Sequence, residues 1–326
     1  MAVILMWHFA REIRLTLDRP IPLSEAVLFE IKSGQSITKI AREFASRRWL
    51  SHAIYLRIEA TRLGLATRIQ AGTYEVLPNS TVRELLRKFV AGEVKHYSVT
   101  LVEGIQFRTL RSQLAKLPGI VTTIGGLTDD EIMLKLSAPG ESPEGRFFPS
   151  TYFYIHRSLD TDLLTRAYSK LQTVLNDQWT TRADDLPYST PYEALIMASI
   201  IEKETGLAAE RSQIAGVFIR RLQQNMLLQT DPTVIYGLGE RFEGNVRRVD
   251  LATDTPYNSY IRPGLPPTPI AMPGEAAIRA ALHPAPGSDL YFVARGDGSH
   301  EFSATLTAHN AAVRRFQLEQ RKHEAR

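Results

Sequence analysis

Apolar positions recur at helical spacing in some segments of this chain and cluster in short β-favouring runs in others. The pattern predicts interleaved helices and short strands. Leu28-Phe29-Glu30-Ile31 reads as a strand, Gly34 suits the turn after it, and Ser36 caps a helix with Ile37, Ile40, Ala41 and Phe44 on one face. A second helix is expected near 53–63, stopping at Gly64. Residues 71–76 return as a strand, and Ser80 or Thr81 opens a third helix through Phe89. Further on, a strand over 99–102 precedes a helix over 107–117 that ends at Pro118-Gly119. A polar, glycine-bearing stretch runs to Pro143, an aromatic turn spans 144–152, and an amphipathic helix covers 160–179.

The best-specified element is the helix over 190–206. Thr190 and Glu193 form a capping box, Pro191 sits at the first helical position, and Gly206 ends it. Residues 194–201 are almost wholly apolar, which makes it a core helix, and Glu202, Lys203 and Glu204 follow at its C-terminal end. A helix over 209–224 points Ile214, Val217, Phe218 and Leu222 inward. It leads into Leu228-Gln229-Thr230-Asp231-Pro232-Thr233, where Asp231 before Pro232 reads as an N-cap. The chain closes with a helix over 275–282, a hairpin over 290–294 and 301–304 turning at Gly296-Asp297-Gly298, and a final helix with a basic tail over 314–326.

The N-terminus admits two readings. Residues 2–7 are apolar, His8 interrupts, and Phe9 and Ala10 precede Arg11 and Arg14. A spanning helix needs about 20 apolar residues, and a cleavable signal needs a basic start and a small-residue cleavage site. Neither pattern is met. Residues 1–24 read either as a frayed or strand-like end or as the tail of a membrane anchor whose missing turns would lie upstream.

Composition narrows the function classes. The 326 residues imply two or three domains, and 44% apolar with 23% charged residues excludes disorder and fibrous repeats. Lys+Arg 39 against Asp+Glu 35 gives a net charge of only +4, too diffuse for a nucleic-acid binder. With no cysteine, disulfides, thiolate catalysis and Cys-ligated zinc are excluded together. His283, His300 and His309 match no compact zinc spacing and read as structural, and no metal is expected. No Walker loop, GxGxxG or Ser–His–Asp order is present.

The candidate chemistry lies where the core helix ends. Glu202 and Glu204 point to nearly opposite faces and cannot form one carboxylate pair. Glu204 continues the apolar stripe of Met197, Ile200 and Ile201, whereas Glu202 shares a mixed face with Leu195 and Ser199. A carboxyl ending an apolar stripe near a helix C-terminus favours its protonated form, which suits a general acid. The alternative is a solvated helix end flanking Lys203. Downstream, Gln229 and Thr230 offer an amide and a hydroxyl suited to sugar hydroxyls. Eight of the 18 prolines fall between Pro256 and Pro286, which predicts a stiff loop presenting Tyr257, Asn258 and Tyr260.

Two resemblances follow from these segments. The strand–helix–helix–strand order of residues 25–98 resembles a LysM module, which holds N-acetylated glycans. The run 200–205, taken with 228–237, resembles the MltG (YceG-like) endolytic murein transglycosylases. Tyr257-Asn258-Ser259-Tyr260, Gly264-Leu265-Pro266-Pro267, His283-Pro284, Leu290-Tyr291-Phe292-Val293 and His309-Asn310 fit too, as do Ala71-Gly72-Thr73-Tyr74, Leu101-Val102-Glu103-Gly104, Glu144-Gly145 and Pro149. The match runs in one order from about Leu28 to Asn310. It departs from the family at Ser150, where an acidic residue is usual, and at the shortened N-terminal anchor.

The resemblance implies an α+β chain: a small LysM-like domain over 25–98 and a mixed α+β catalytic domain over 99–326 with a lysozyme-like catalytic helix. It implies non-hydrolytic cleavage of MurNAc-β-1,4-GlcNAc bonds within peptidoglycan strands, leaving 1,6-anhydro-MurNAc ends. Glu204 would act as acid and then base. Glu204-Thr205 resembles the Glu-Ser pair ending the catalytic helix of lysozyme-like transglycosylases. Glu202, Thr205, Gln229, Thr230, Asp231, Tyr236, Tyr257, Asn258 and Tyr260 are the supporting or substrate-binding candidates. No cofactor is called for: a pyridoxal-phosphate lyase would need a Schiff-base lysine with a phosphate cup, and Lys203 stands alone. Expected partners are peptidoglycan strands and penicillin-binding proteins, with no nucleic acid. The expected location is the inner membrane, single-pass, with the catalytic domain in the periplasm. The rival readings are a muramidase-type hydrolase using Glu204 with Asp231 or Asp254, and a non-catalytic peptidoglycan-binding scaffold.

Overall fold

A computed structural model describes residues 1–318 as a mixed α+β chain of helices with small two-stranded sheets. The basic tail expected over 314–326 lies largely outside the described residues. In chain order the elements are α1 (Ala2–Leu17), β1 (Val27–Ile31), α2 (Ile37–Ser46), α3 (Ala53–Arg62), β2 (Gly72–Val76), α4 (Val82–Ala91) and β3 (His96–Thr100). Then come α5 (Phe107–Leu114), α6 (Asp129–Lys135), β4 (Thr151–Ile155), α7 (Asp160–Thr180), α8 (Pro191–Glu204), α9 (Arg211–Gln223) and α10 (Asp231–Leu238). The chain continues through α11 (Arg248–Ala252), α12 (Glu275–Leu282), β5 (Tyr291–Ala294), β6 (His300–Ser303) and α13 (Leu306–Val313).

Two compact units form. The first comprises residues 1–98 with 118–120 and 153–158; the second takes 99–117, 121–152 and Leu159 onward. In the first, β1 and β2 pair antiparallel from Val27 opposite Val76 to Ile31 opposite Gly72. Ser36 caps α2 by accepting the Lys39 N–H, and Thr81 with Glu84 makes a capping box on α4. The core is aromatic: Phe29 lies 4.9 Å from Phe44 and 5.9 Å from Phe89, and Tyr74 lies 4.6 Å from Phe89, measured between ring centroids.

The N-terminus is neither frayed nor strand-like. Residues 2–17 form a helix because Ile13 and Leu17 bury against this core and Glu12 accepts the Tyr55 hydroxyl at 2.6 Å. Tertiary packing supplies what local capping lacks. Val3, Ile4, Leu5, Met6 and Trp7 remain exposed. Among the described residues no helix is long and apolar enough to cross a membrane.

The second unit is built around α8. Thr190 and Glu193 cap it reciprocally at 3.3 Å, and every residue from Ala194 to Ile201 is buried against a core to which α7, α9 and α12 contribute. Ser199 is the polar exception. Its hydroxyl donates to the Ile196 carbonyl at 2.7 Å and accepts the Ile270 N–H at 2.9 Å, so neither group is stranded. Gly216 on α9 has a packing reason: a Cβ there would meet the Ala285 carbonyl oxygen at 2.5 Å.

Besides α1, other elements differ from expectation: the strand expected over 99–102 lies at His96–Thr100. The stretch to Pro143 contains α6, held by a capping box of Thr128 and Glu131 and anchored by buried Ile132 and Met133. The aromatic turn ends in β4, where Tyr152 and Tyr154 face inward and Phe153 outward, an alternation that fits a half-buried strand.

Candidate active site

The apolar run of α8 carries the chain inward until Glu204, its last helical residue. Thr205 then turns extended, and its hydroxyl accepts the Leu207 N–H at 3.0 Å, which steers the chain away from the helix axis. The Glu204 carboxyl lines a cleft of about 450 Å³ that also holds Gln229, Asp231, Tyr260, Tyr291, His300 and His309. Glu204 Oε1 accepts the hydroxyl of the buried Thr230. Burial raises Glu204 from 4.5 to about 7; the Thr230 hydrogen bond opposes this, nearby Asp231 adds to it, and His300 opposes it. A carboxyl poised there can give up a proton and take one back near neutral pH.

The loop before α10 sets Thr230. Gln229 is held at φ 53°, and its N–H donates to the Ser259 carbonyl at 3.1 Å. The Thr230 N–H donates to Ser259 Oγ at 3.0 Å, and the Thr230 carbonyl accepts the Thr233 hydroxyl at 2.8 Å. Arg221, itself buried, donates to the Leu227 and Leu228 carbonyls at 3.0 Å and to Gln229 Oε1 at 3.3 Å. Thr230 therefore reaches Glu204 from a fixed backbone.

Asp231 is not the N-cap. Thr230 occupies that place, and Asp231 is the first helical residue of α10, where its charge favours the helix N-terminus. Its carboxylate accepts the Tyr260 hydroxyl at 2.6 Å, and burial raises the Tyr260 pKa above its ordinary value.

The other candidates lie elsewhere. Glu202 accepts the Gly274 N–H at 2.9 Å and faces Arg211 at 3.7 Å, apart from the cleft lining. Asn258 is fully buried; its amide donates to the Thr253, Leu251 and Asp250 carbonyls and its oxygen accepts the Tyr260 N–H, so nothing remains for a sugar hydroxyl. Tyr257 bonds Thr268 at 2.9 Å and stacks edge-on to Tyr236 at 4.7 Å, and neither lines the Glu204 cleft. Asp254 is held in an exposed bidentate pair with Arg262 at 2.7 and 3.0 Å. Ser150 accepts from Lys170 at 3.1 Å.

Sequence reasoning missed Glu144. Its buried carboxyl accepts the Phe107 N–H at 3.0 Å and the Tyr236 hydroxyl at 3.1 Å, and burial raises it to about 7. It borders a second cleft with Gln106, Arg108 and Tyr236. His300 and His309, which the sequence reads as structural, both line the Glu204 cleft. Among the described residues no group of His, Cys, Asp and Glu is arranged to hold a metal ion.

Comparison with known proteins adds an independent line. The profile of the YceG-like family matches residues 29–315. An endolytic murein transglycosylase of Bacillus subtilis (strain 168) is 30% identical over 307 residues, covering 89% of this chain and 84% of the relative. An endolytic murein transglycosylase of Streptococcus pneumoniae serotype 2 (strain D39) is 31% identical over 196 residues, covering 58% of this chain and 34% of that protein. The crystal structure of a yceG-like protein from Listeria monocytogenes superposes with a TM-score of 0.56 at 27% identity, covering 88% of this chain and 99% of the other.

Proposed function

The chain belongs to the YceG-like family of endolytic murein transglycosylases, and from that premise we propose that it cuts MurNAc-β-1,4-GlcNAc bonds inside glycan strands with Glu204 as the sole acid and base. The observation that carries this reading is the half-buried Glu204 carboxyl, poised at about 7 in a cleft and held by Thr230. In the first step protonated Glu204 gives its proton to the glycosidic oxygen as the bond to C1 of MurNAc breaks. Asp231, in the same cleft, supplies negative charge toward the developing cation. In the second step the C6 hydroxyl of the same sugar closes on C1 and its proton returns to Glu204. Atoms balance without water, and the product ends in 1,6-anhydro-MurNAc. A hydrolase normally needs two carboxylates around the bond; the cleft position of Asp231 makes a muramidase the alternative reading, and reducing ends would mark it.

On this reading α8 is a lysozyme-like catalytic helix, and Gln229 and Tyr260 are the cleft groups placed for sugar hydroxyls. Residues 25–98 serve as a LysM-like glycan-holding domain, supported by the β1–α2–α3–β2 order and the antiparallel β1–β2 pair. The exposed apolar side chains of α1 support membrane association, with residues 99–326 on the periplasmic side of the inner membrane beside penicillin-binding proteins. Digestion of purified sacculi by the wild type and by Glu204→Gln tests the assignment: the variant loses cleavage by about 10²–10⁴-fold while remaining folded. Full activity of the variant would refute it.

A further inference from the structure

Glu210 and His300 form a pair that the two proton transfers leave unused. Glu210 Oε1 accepts the backbone N–H of His300 at 3.0 Å, and Oε2 lies 2.7 Å from the ring Nδ1. Only 11% of the His300 side chain and 13% of the Glu210 side chain are exposed. An ionised carboxylate only accepts, so Nδ1 carries the hydrogen and Nε2 is the ring nitrogen left for other partners. Phe292 and Phe302 hold the ring edge-on at 5.4 and 6.5 Å. The cleft that this ring lines is the one that holds Glu204.

We propose that Glu210 fixes the His300 ring beside the cleft so that His300 acts as the charge partner of Glu204 through both proton transfers. Glu210 is then a positioning residue acting through His300. The inference rests on the reading of Glu204 as the acid.

The charged and titratable groups sharing the cleft are Glu204, Arg221, Asp231, Tyr260, Tyr291 and His309. Arg221 is occupied by the Leu227, Leu228 and Leu290 carbonyls, and Asp231 by the Tyr260 hydroxyl. His309 is stacked on Tyr291, and burial, with Arg221 nearby, holds its pKa below the ordinary value. Under this proposal the cationic role in the cleft falls to His300, whose ring lines it beside Glu204. A protonated His300 favours the carboxylate that the first step leaves behind, and so opposes the effect of burial on Glu204.

The test is the pH dependence of kcat/KM for wild type, His300→Gln, Glu210→Gln and Glu204→Gln, measured on the full chain with sacculi. Glu204 must be protonated to begin, so activity falls as pH rises through its pKa. Removing the His300 charge moves that alkaline limb upward by roughly half a pH unit or more. Glu210→Gln moves it in the same direction, and histidine NMR of the wild type shows His300 with hydrogen on Nδ1. A purely structural pair would lower activity without moving the limb. An unmoved limb in both variants, with Glu204→Gln inactive, overturns this inference alone; a Nε2–H tautomer in the wild type does the same. An active Glu204→Gln overturns the reading beneath it. The tautomer measurement needs no variant and stands even if His300→Gln fails to fold.

Discussion

Thr230 donates its hydroxyl hydrogen to Glu204 across 26 residues of sequence, joining the end of the core helix to the loop that starts α10. The bond stabilises the carboxylate against burial that favours the acid, so Thr230 moderates the proton affinity of Glu204. Thr230→Val keeps the shape and removes the donor. The alkaline limb of activity should move to higher pH and kcat should fall about tenfold. A pH–rate profile checks both, and an unmoved limb would show that the hydroxyl does not tune the acid.

Stability should report the same carboxyl. The pKa of Glu204 in the folded chain is raised from 4.5 to about 7. Below pH 4.5 it is neutral in both folded and unfolded chains. From pH 4.5 upward the unfolded chain ionises while the folded chain holds its proton, so stability falls by up to about 3 kcal/mol and levels off once pH passes about 7. Glu204→Gln escapes that loss. It should match the wild type near pH 4 and exceed it in denaturant midpoint at pH 8; equal midpoints at pH 8 would argue against the raised pKa.

Asn258 lies within the tyrosine-bearing loop, yet its role is architectural. Its amide ties the Asp250 and Leu251 carbonyls of α11 and the Thr253 carbonyl just after it, and its oxygen holds the Tyr260 N–H. Asn258→Ala should destabilise the chain by about 2–4 kcal/mol because buried carbonyls lose their donor. Folded variant at low temperature should bind glycan with little change in KM, which activity assays normalised to folded protein will read.

Tyr236→Phe removes the hydroxyl partner of Glu144 and leaves its backbone N–H partners in place. Stability should drop by about 1–2 kcal/mol, while cleavage stays within about threefold of wild type. A large rise in KM at unchanged stability would instead make the Glu144 cleft a glycan subsite.

Local rules made much of the fold legible. Thr190, Pro191 and Glu193 announced α8, and Ser36 announced α2. The same capping logic marks α6 through Thr128 and Glu131, but the glycines before it drew attention to a loop. α1 has no side-chain cap and is fixed by Ile13, Leu17 and Tyr55, contacts no local pattern reveals. At the site, helical periodicity placed Glu204 on the apolar stripe. The partners Thr230, Asp231 and the Glu210–His300 pair come from separations of 26 to 90 residues. Asn258 and Tyr236 have the side chains of sugar binders, and no local pattern reveals that Asn258 bonds the carbonyls at α11 or that Tyr236 bonds Glu144.

The most direct measurement is mass spectrometry of the muropeptides released when the purified protein digests sacculi. Return of the C6 hydroxyl proton to Glu204 closes the ring without water, so the new ends should be 1,6-anhydro-MurNAc, about 18 Da lighter than reducing ends, and absent with Glu204→Gln. New reducing ends would contradict the account and assign Asp231 the work of activating water.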